Sequence, residues 1–205
     1  MGYTTVKQAS EFYMVERKSE FIGYCAPVTS EEEAIAFVNS IKKKHSDATH
    51  NVYAYVLREG FKERFSDDGE PHGTAGMPVL DSIRKAGLTD TAVVVTRYFG
   101  GILLGTGGLV RAYTGAAVGA IKEAGVAAVA DFDIIEVKSN YSDYQKIMPL
   151  VSAVSARTDD SDFGIDVKLI LSVRQESSER FIADLIETTN GRVIAERVGS
   201  KTDFI

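Results

Sequence analysis

The sequence predicts an α/β (α+β) chain of two domains, residues 1–130 and 131–205. Three observations carry this. Runs with period-two apolar alternation are interleaved with runs of helical spacing along the whole chain, the pattern of mixed α/β folds. The 205 residues exceed the roughly 150 of one average domain. The charge also divides unevenly: residues 131–205 hold 9 basic and 14 acidic side chains, which leaves −1 of the total −6 for residues 1–130.

Taken in order, residues 10–28 read as two strands joined near Arg17-Lys18. Ser30 and Glu33 have capping-box spacing ahead of Ala34, Ile35, Val38 and Ile41, and Lys42, Lys43 and Lys44 close that helix. Three lysines either complement the helix dipole or offer a nucleic-acid patch. A strand over 50–58 and a shorter one near 63–65 follow. The turn-rich loop 67–76 leads into a helix near 76–87 that ends at Gly87. Thr91 to Tyr98 is a strand that empties into a glycine-rich loop, and a helix over about 107–124 packs through Leu109, Tyr113, Ala117, Ala120 and Ala124. Ala112, Gly115, Ala116 and Gly119 permit its close approach to a sheet.

In the second domain Phe132 to Tyr141 is a strand, and Ser142 with Gln145 caps a helix that Pro149 should kink or shorten. The acidic turn 159–162 separates a short strand from a long one, in which Ile165, Val167, Leu169, Leu171 and Val173 alternate. A helix over 177–189 ends at Asn190-Gly191, and a strand over 192–198 completes the domain. The order β-α-β-β-α-β is the ferredoxin-like split motif. The junction near 126–131 has no linker composition, so it should be short.

Hydrophobic residues at 44% and charged residues at 25% exclude a disordered tail or a collagen-like repeat. The single cysteine, Cys25, excludes an internal disulfide and a zinc ribbon, and its apolar surroundings predict a buried thiol. A net charge of −6 argues against a general polyanion binder and marks no DNA specificity, so a nucleic-acid role needs a local basic patch. No run approaches the roughly 20 apolar residues of a membrane helix, and no signal peptide begins the sequence. The expectation is a soluble cytoplasmic protein with no membrane partner.

The candidate site is the segment 91–122. Gly100, Gly101, Gly105, Gly107 and Gly108, with Thr106, precede a helix whose free N–H groups and dipole suit an anion, and Arg97 and Arg111 could grip the same phosphate. Tyr98 and Phe99 could stack on a base. The alternative is that the glycines serve tight helix–sheet packing alone. Thr106 stands where a Walker A loop has lysine, and Val110 where the dinucleotide fingerprint has its third glycine. Asp67, Asp68 and Glu70 could hold magnesium, form a solvated acidic turn, or pair with the arginines. His50 lies in or beside a strand, as a structural histidine or a base, and His72 in the turn should be exposed.

Three blocks carry a family resemblance. Ala48-Thr49-His50-Asn51-Val52-Tyr53-Ala54-Tyr55 comes first. Asp67-Asp68-Gly69-Glu70-Pro71 with Gly73-Thr74-Ala75-Gly76 comes second. Val95-Thr96-Arg97-Tyr98-Phe99-Gly100-Gly101 with Leu104-Gly105-Thr106-Gly107-Gly108-Leu109-Val110-Arg111-Ala112-Tyr113 comes third. In this order and spacing they resemble the YigZ/IMPACT family over about residues 18–125. Residues of about 135–200 resemble the small C-terminal domain of bacterial YigZ-type members, itself similar to a ferredoxin-like domain of elongation factor G.

The resemblance implies a two-layer α/β first domain, like elongation factor G domain IV, a ribosomal small-subunit protein and the GHMP kinases. It also implies translation-associated regulation. The leading expectation is therefore a non-enzymatic protein that binds RNA or the ribosome through Arg97, Arg111 and the glycine loop, with no cofactor. One alternative is a magnesium-dependent enzyme acting on a small phosphorylated ligand. Another is a protein-interaction module that docks through the acidic second domain.

Overall fold

The computed structural model describes residues 2–205, and the chain divides by its internal contacts into two units, Tyr3–Ala128 and Val129–Ile205. After a short strand β1 (Tyr3–Val6), the first unit is built on the strands β2 (Ser10–Glu16), β3 (Ser19–Pro27), β4 (His50–Leu57), β5 (Lys62–Ser66) and β6 (Thr91–Tyr98). They form one antiparallel sheet in the order β2-β3-β6-β4-β5. The β2–β3 hairpin turns at Arg17 and Lys18, both with positive φ (45° and 63°), as a two-residue turn matched to strand twist requires.

Strand alternation sends successive side chains of this sheet to opposite faces. Phe21, Cys25, Val52, Ala54, Val93 and Val95 point to one face, where α2 (Gly76–Lys85) and α3 (Gly105–Ala124) cover them. Tyr24 and Val94 point to the other, where α1 (Glu31–Lys44) packs through Val38 and Ile41. The sheet with α2 and α3 makes the two layers expected, and α1 adds a third. Ile35 lies off the buried face of α1 and is exposed. The Ser30 side chain caps α1 by accepting from the Glu33 N–H, whereas Glu33 itself reaches back to Thr29.

Helix α3 lies very close to the sheet. A Cβ built on Gly23 would stand 2.3 Å from the Ala116 carbonyl oxygen, and one on Gly119 would stand 2.3 Å from the Phe12 ring. These glycines are absences that make room for backbone and ring.

The second unit contains β7 (Val126–Ser139) from Val129 onward, α4 (Tyr141–Ala153), β8 (Arg157–Phe163), β9 (Val167–Arg174), α5 (Gln175–Thr188) and β10 (Ile194–Phe204). Its strands are antiparallel in the order β10-β7-β9-β8, the ferredoxin-like arrangement. Ile135, Val137, Leu169 and Leu171 meet Ile147 and Val151 of α4 and Phe181 and Leu185 of α5 in one core. β7 runs unbroken through 126–131, so no loop occupies that stretch.

The structure corrects several local expectations. The cap of α4 is Asn140, whose side chain accepts from the Asp143 N–H, and not Ser142; the extended backbone of Asn140 suits a cap, and Ser142 already lies inside the helix. Pro149 does not end α4, which continues to Ala153. Residues 159–162 are not a turn but part of β8. That strand is an exposed edge, so it has no apolar alternation, and its carboxylates guard the edge against further pairing. The turn falls at 164–166, which leaves Ile165 97% exposed.

Candidate functional site

The site starts from one cross-strand row. His50 on β4 stands opposite Arg97 on β6, and Arg97 stands opposite Phe21 on β3. All three therefore share the face covered by α3, and Phe21 meets the Tyr113 ring of α3 edge-to-face. The Arg97 guanidinium lies 5.5 Å from the ring centres of both Phe21 and Phe99. Its side chain is 6% exposed, an expensive place for a charge unless it is paired.

Glu70 supplies the pair. Arg97 Nη1 donates to Glu70 Oε1 at 2.5 Å, and the Tyr113 hydroxyl donates to the same oxygen at 2.7 Å. Burial, then the neighbouring Glu70 carboxylate, pushes the Tyr113 phenol well above its ordinary range, so it stays a donor. Arg97 Nη2 reaches Ser19 Oγ at 3.4 Å, and Arg97 Nε is buried with no hydrogen-bond partner among the described residues.

Glu70 is aimed by its loop. Burial opposes ionisation of Asp67, but the N–H groups of Gly73, Gly76 and Ala75 donate to its carboxylate and hold it below the usual range. The same bonds satisfy the start of α2. Asp68 accepts from Lys42 Nζ and from the Asn51 N–H, each at 2.7 Å. The three carboxylates thus turn to different partners and do not converge. Among the described residues no group of three or more acidic, histidine or cysteine side chains could hold a metal ion. Of the lysines that close α1, Lys42 pairs with Asp68 and Lys44 with Glu11.

His50 is fixed in one tautomer. Its Nδ1 lies 2.8 Å from the Asp68 carbonyl oxygen, which can only accept, so Nδ1 carries the proton and neutral His50 presents a lone pair at Nε2. That Nε2 is 3.8 Å from Glu70 Oε1. His72 is exposed, as expected of the turn.

Above this floor opens a cavity of about 440 Å³, walled by Phe99, Leu103, Leu104, Thr106 and Leu109 and floored by His50, Glu70 and Arg97. Phe99 is 46% exposed and Leu103 81%. Helix α3 begins on its rim with no side-chain cap, so its first N–H groups are open to a ligand. The glycines divide by purpose. Gly100 allows contact with the backbone of Lys18, which a Cβ would strike at 2.0 Å, while Gly101 and Gly105 hold positive φ with open space beside them. Gly100 thus serves close packing, whereas Gly101 and Gly105 serve the backbone conformation of the loop.

The structure brings together Arg97, Phe99, His50, Glu70, Gly105 and Thr106. It separates two others. Tyr98 points to the opposite face, where its hydroxyl bonds Asp47 and His45, because adjacent residues of a strand cannot share a face. Arg111 is exposed and does not line the cavity; its guanidinium lies beside Gly107 on the outside of α3. Tyr113 was legible only as a packing residue. The signal for more was that a fully buried tyrosine hydroxyl requires a partner.

A two-domain α/β protein with this cleft is the class defined so far, and comparison with known proteins places it. Residues 17–121 match the Impact N-terminal domain, and residues 137–192 match a domain of unknown function. The chain is 38% identical to the IMPACT family member YvyE of Bacillus subtilis over 192 residues, covering 93% of this chain and 88% of that one. It is 34% identical to the IMPACT family member YigZ of Escherichia coli K12, covering 85% and 87%. A crystal structure titled only as a hypothetical protein superposes with a TM-score of 0.63 at 30% identity, covering 96% of this chain and 97% of that one. The chain belongs to the IMPACT family. Among the described residues no helix is long and apolar enough to cross a membrane.

Proposed function

We propose that this chain is a non-enzymatic, translation-associated regulatory protein that binds RNA, free or on the ribosome, at the α3 cavity. A phosphate sits at the first turn of α3, and a base enters the cavity against Phe99. The observation that supports this is the uncapped start of a 20-residue helix on the rim of an apolar cavity beside a half-exposed aromatic ring. Exposed cations flank that rim: Arg17 donates to the Leu103 carbonyl, Lys18 adjoins Gly100, and Arg111 lies on α3. Arg97 shapes the floor, because its charge is already matched by Glu70.

With an overall charge of −6, the footprint is local and few phosphates are neutralised. Fluorescence anisotropy of a labelled single-stranded RNA across a salt series tests this. Binding should weaken with salt at a slope of about −0.7 per phosphate contact. Phe99→Ala should cost about 1–3 kcal/mol, the worth of one base–aromatic stack. No binding at low salt, or binding indifferent to Phe99→Ala, overturns the proposal.

A second reading rests on the cavity's size. At about 440 Å³ it falls within the range of small-ligand sites, so a free phosphorylated metabolite is the alternative occupant. Thermal shift with nucleoside monophosphates alongside the RNA titration separates the two: a free metabolite site binds the monophosphates and no RNA.

A further inference from the structure

We infer that the base this cavity selects is guanine. The inference rests on the nucleotide-binding reading above and deepens it.

Two acceptors without donors stand on the cavity floor. Glu70 Oε1 already receives Arg97 and Tyr113, but Glu70 Oε2 has no hydrogen bond among the described residues. Glu70 lines the cavity, and Oε2 is the oxygen of its carboxylate left for a ligand. His50 also lines the cavity: in the neutral tautomer set by the Nδ1–H bond to Asp68 its lone pair is on Nε2, and among the described residues no group within hydrogen-bond distance donates to it. The two residues come from different elements, β4 and the loop before α2, yet His50 Nε2 lies 3.8 Å from Glu70 Oε1, the oxygen bonded by Arg97 and Tyr113, which brings the carboxylate and the imidazole side by side. A buried carboxylate beside an imidazole lone pair gives this part of the floor acceptors, while the donors of the site are Arg97 and the N–H groups at the start of α3.

A ligand complementary to it must present two neighbouring donors on a flat apolar body. Among the four RNA bases only guanine does so, with N1–H and the 2-amino group side by side on its pairing edge. Adenine and cytosine each present one amino group next to an acceptor, and uracil presents one N–H between two carbonyls. The walls suit the rest of the purine: Phe99 offers a face to stack on, and Leu103, Leu104 and Leu109 offer apolar contact. The nearby start of α3 receives the phosphate.

The test changes the ligand and leaves the protein intact, so folding cannot confuse it. Isothermal titration compares GMP, IMP, 1-methyl-GMP, AMP, CMP and UMP, alongside five-residue RNAs of each base. GMP and the guanosine RNA should bind at least about tenfold tighter than the others. IMP, which lacks the 2-amino group, should lose about tenfold, and 1-methyl-GMP should lose binding altogether. If GMP shows this ranking while no RNA binds, guanine recognition stands and the RNA reading falls. If all RNAs bind alike, or IMP equals GMP, guanine recognition is overturned while the RNA reading stands. If nothing binds, both are overturned.

Discussion

The Arg97–Glu70 pair allows a decisive measurement. Both side chains are almost fully buried, at 6% and 4% exposure, and they meet at 2.5 Å. Removing one partner of such a pair leaves an uncompensated buried charge and costs about 3–5 kcal/mol. Glu70→Gln strands the Arg97 cation between two phenyl rings. Arg97→Met strands the carboxylate with only the Tyr113 hydroxyl to hold it. If the costs were additive, the double variant would lose about 6–10 kcal/mol, comparable to the whole stability of a domain. The double variant carries no stranded charge, and the amide that replaces the Glu70 carboxylate keeps an oxygen for Tyr113. It should therefore be no less stable than either single variant, with a coupling of about 3 kcal/mol or more. Urea unfolding followed by circular dichroism, with all four proteins at one pH, gives the cycle. Additive costs, or single variants within about 0.5 kcal/mol of wild type, would refute the claim that these charges exist for each other.

Other expectations follow from single contacts. Gly23→Ala places a Cβ against the Ala116 carbonyl, which belongs to a helix backbone and cannot swing aside; overpacking of about 1–3 kcal/mol should lower Tm in a thermal melt. The Arg192 guanidinium, then Lys146, holds the Asp143 carboxyl well below the usual carboxylate range. Its stabilising effect is thus full above the unfolded value near 3.9 and fades as pH falls towards the depressed folded one. Asp143→Asn should flatten the acid limb of stability against pH. Burial pushes the Cys25 thiol up to about 12, so a thiol reagent at neutral pH should label it only when the protein unfolds. Labelling of the native protein at the rate of the unfolded chain would contradict that burial.

Much of this fold is legible in the sequence. A continuous apolar run located β6 at the residues read for it, because Thr91 to Tyr98 is buried on both faces and followed by a glycine-rich loop. The βαββαβ order of the second unit followed from alternation in its strands and helical spacing in its helices. Reading failed where local signals competed or were absent. Asn140 and Ser142 are both good caps, and only the start of the helical backbone chooses between them. An exposed edge strand of acidic residues has no apolar period at all.

The sequence by itself determined which residue types gather near the candidate site, because the glycine loop, Arg97, Phe99, His50 and the 67–76 loop stand at strand ends and turns that local chemistry specifies. Tertiary structure alone decided what they do to one another. It matched the Arg97 charge with Glu70, from a loop 27 residues away, and brought Tyr113 to the same oxygen. It also turned Tyr98 away and left Arg111 outside the cavity. The physical reason is that a strand or helix period fixes the direction of a side chain but not its partner. Partners are fixed by cross-strand register and by how closely α3 approaches the sheet, and both are properties of the packed molecule.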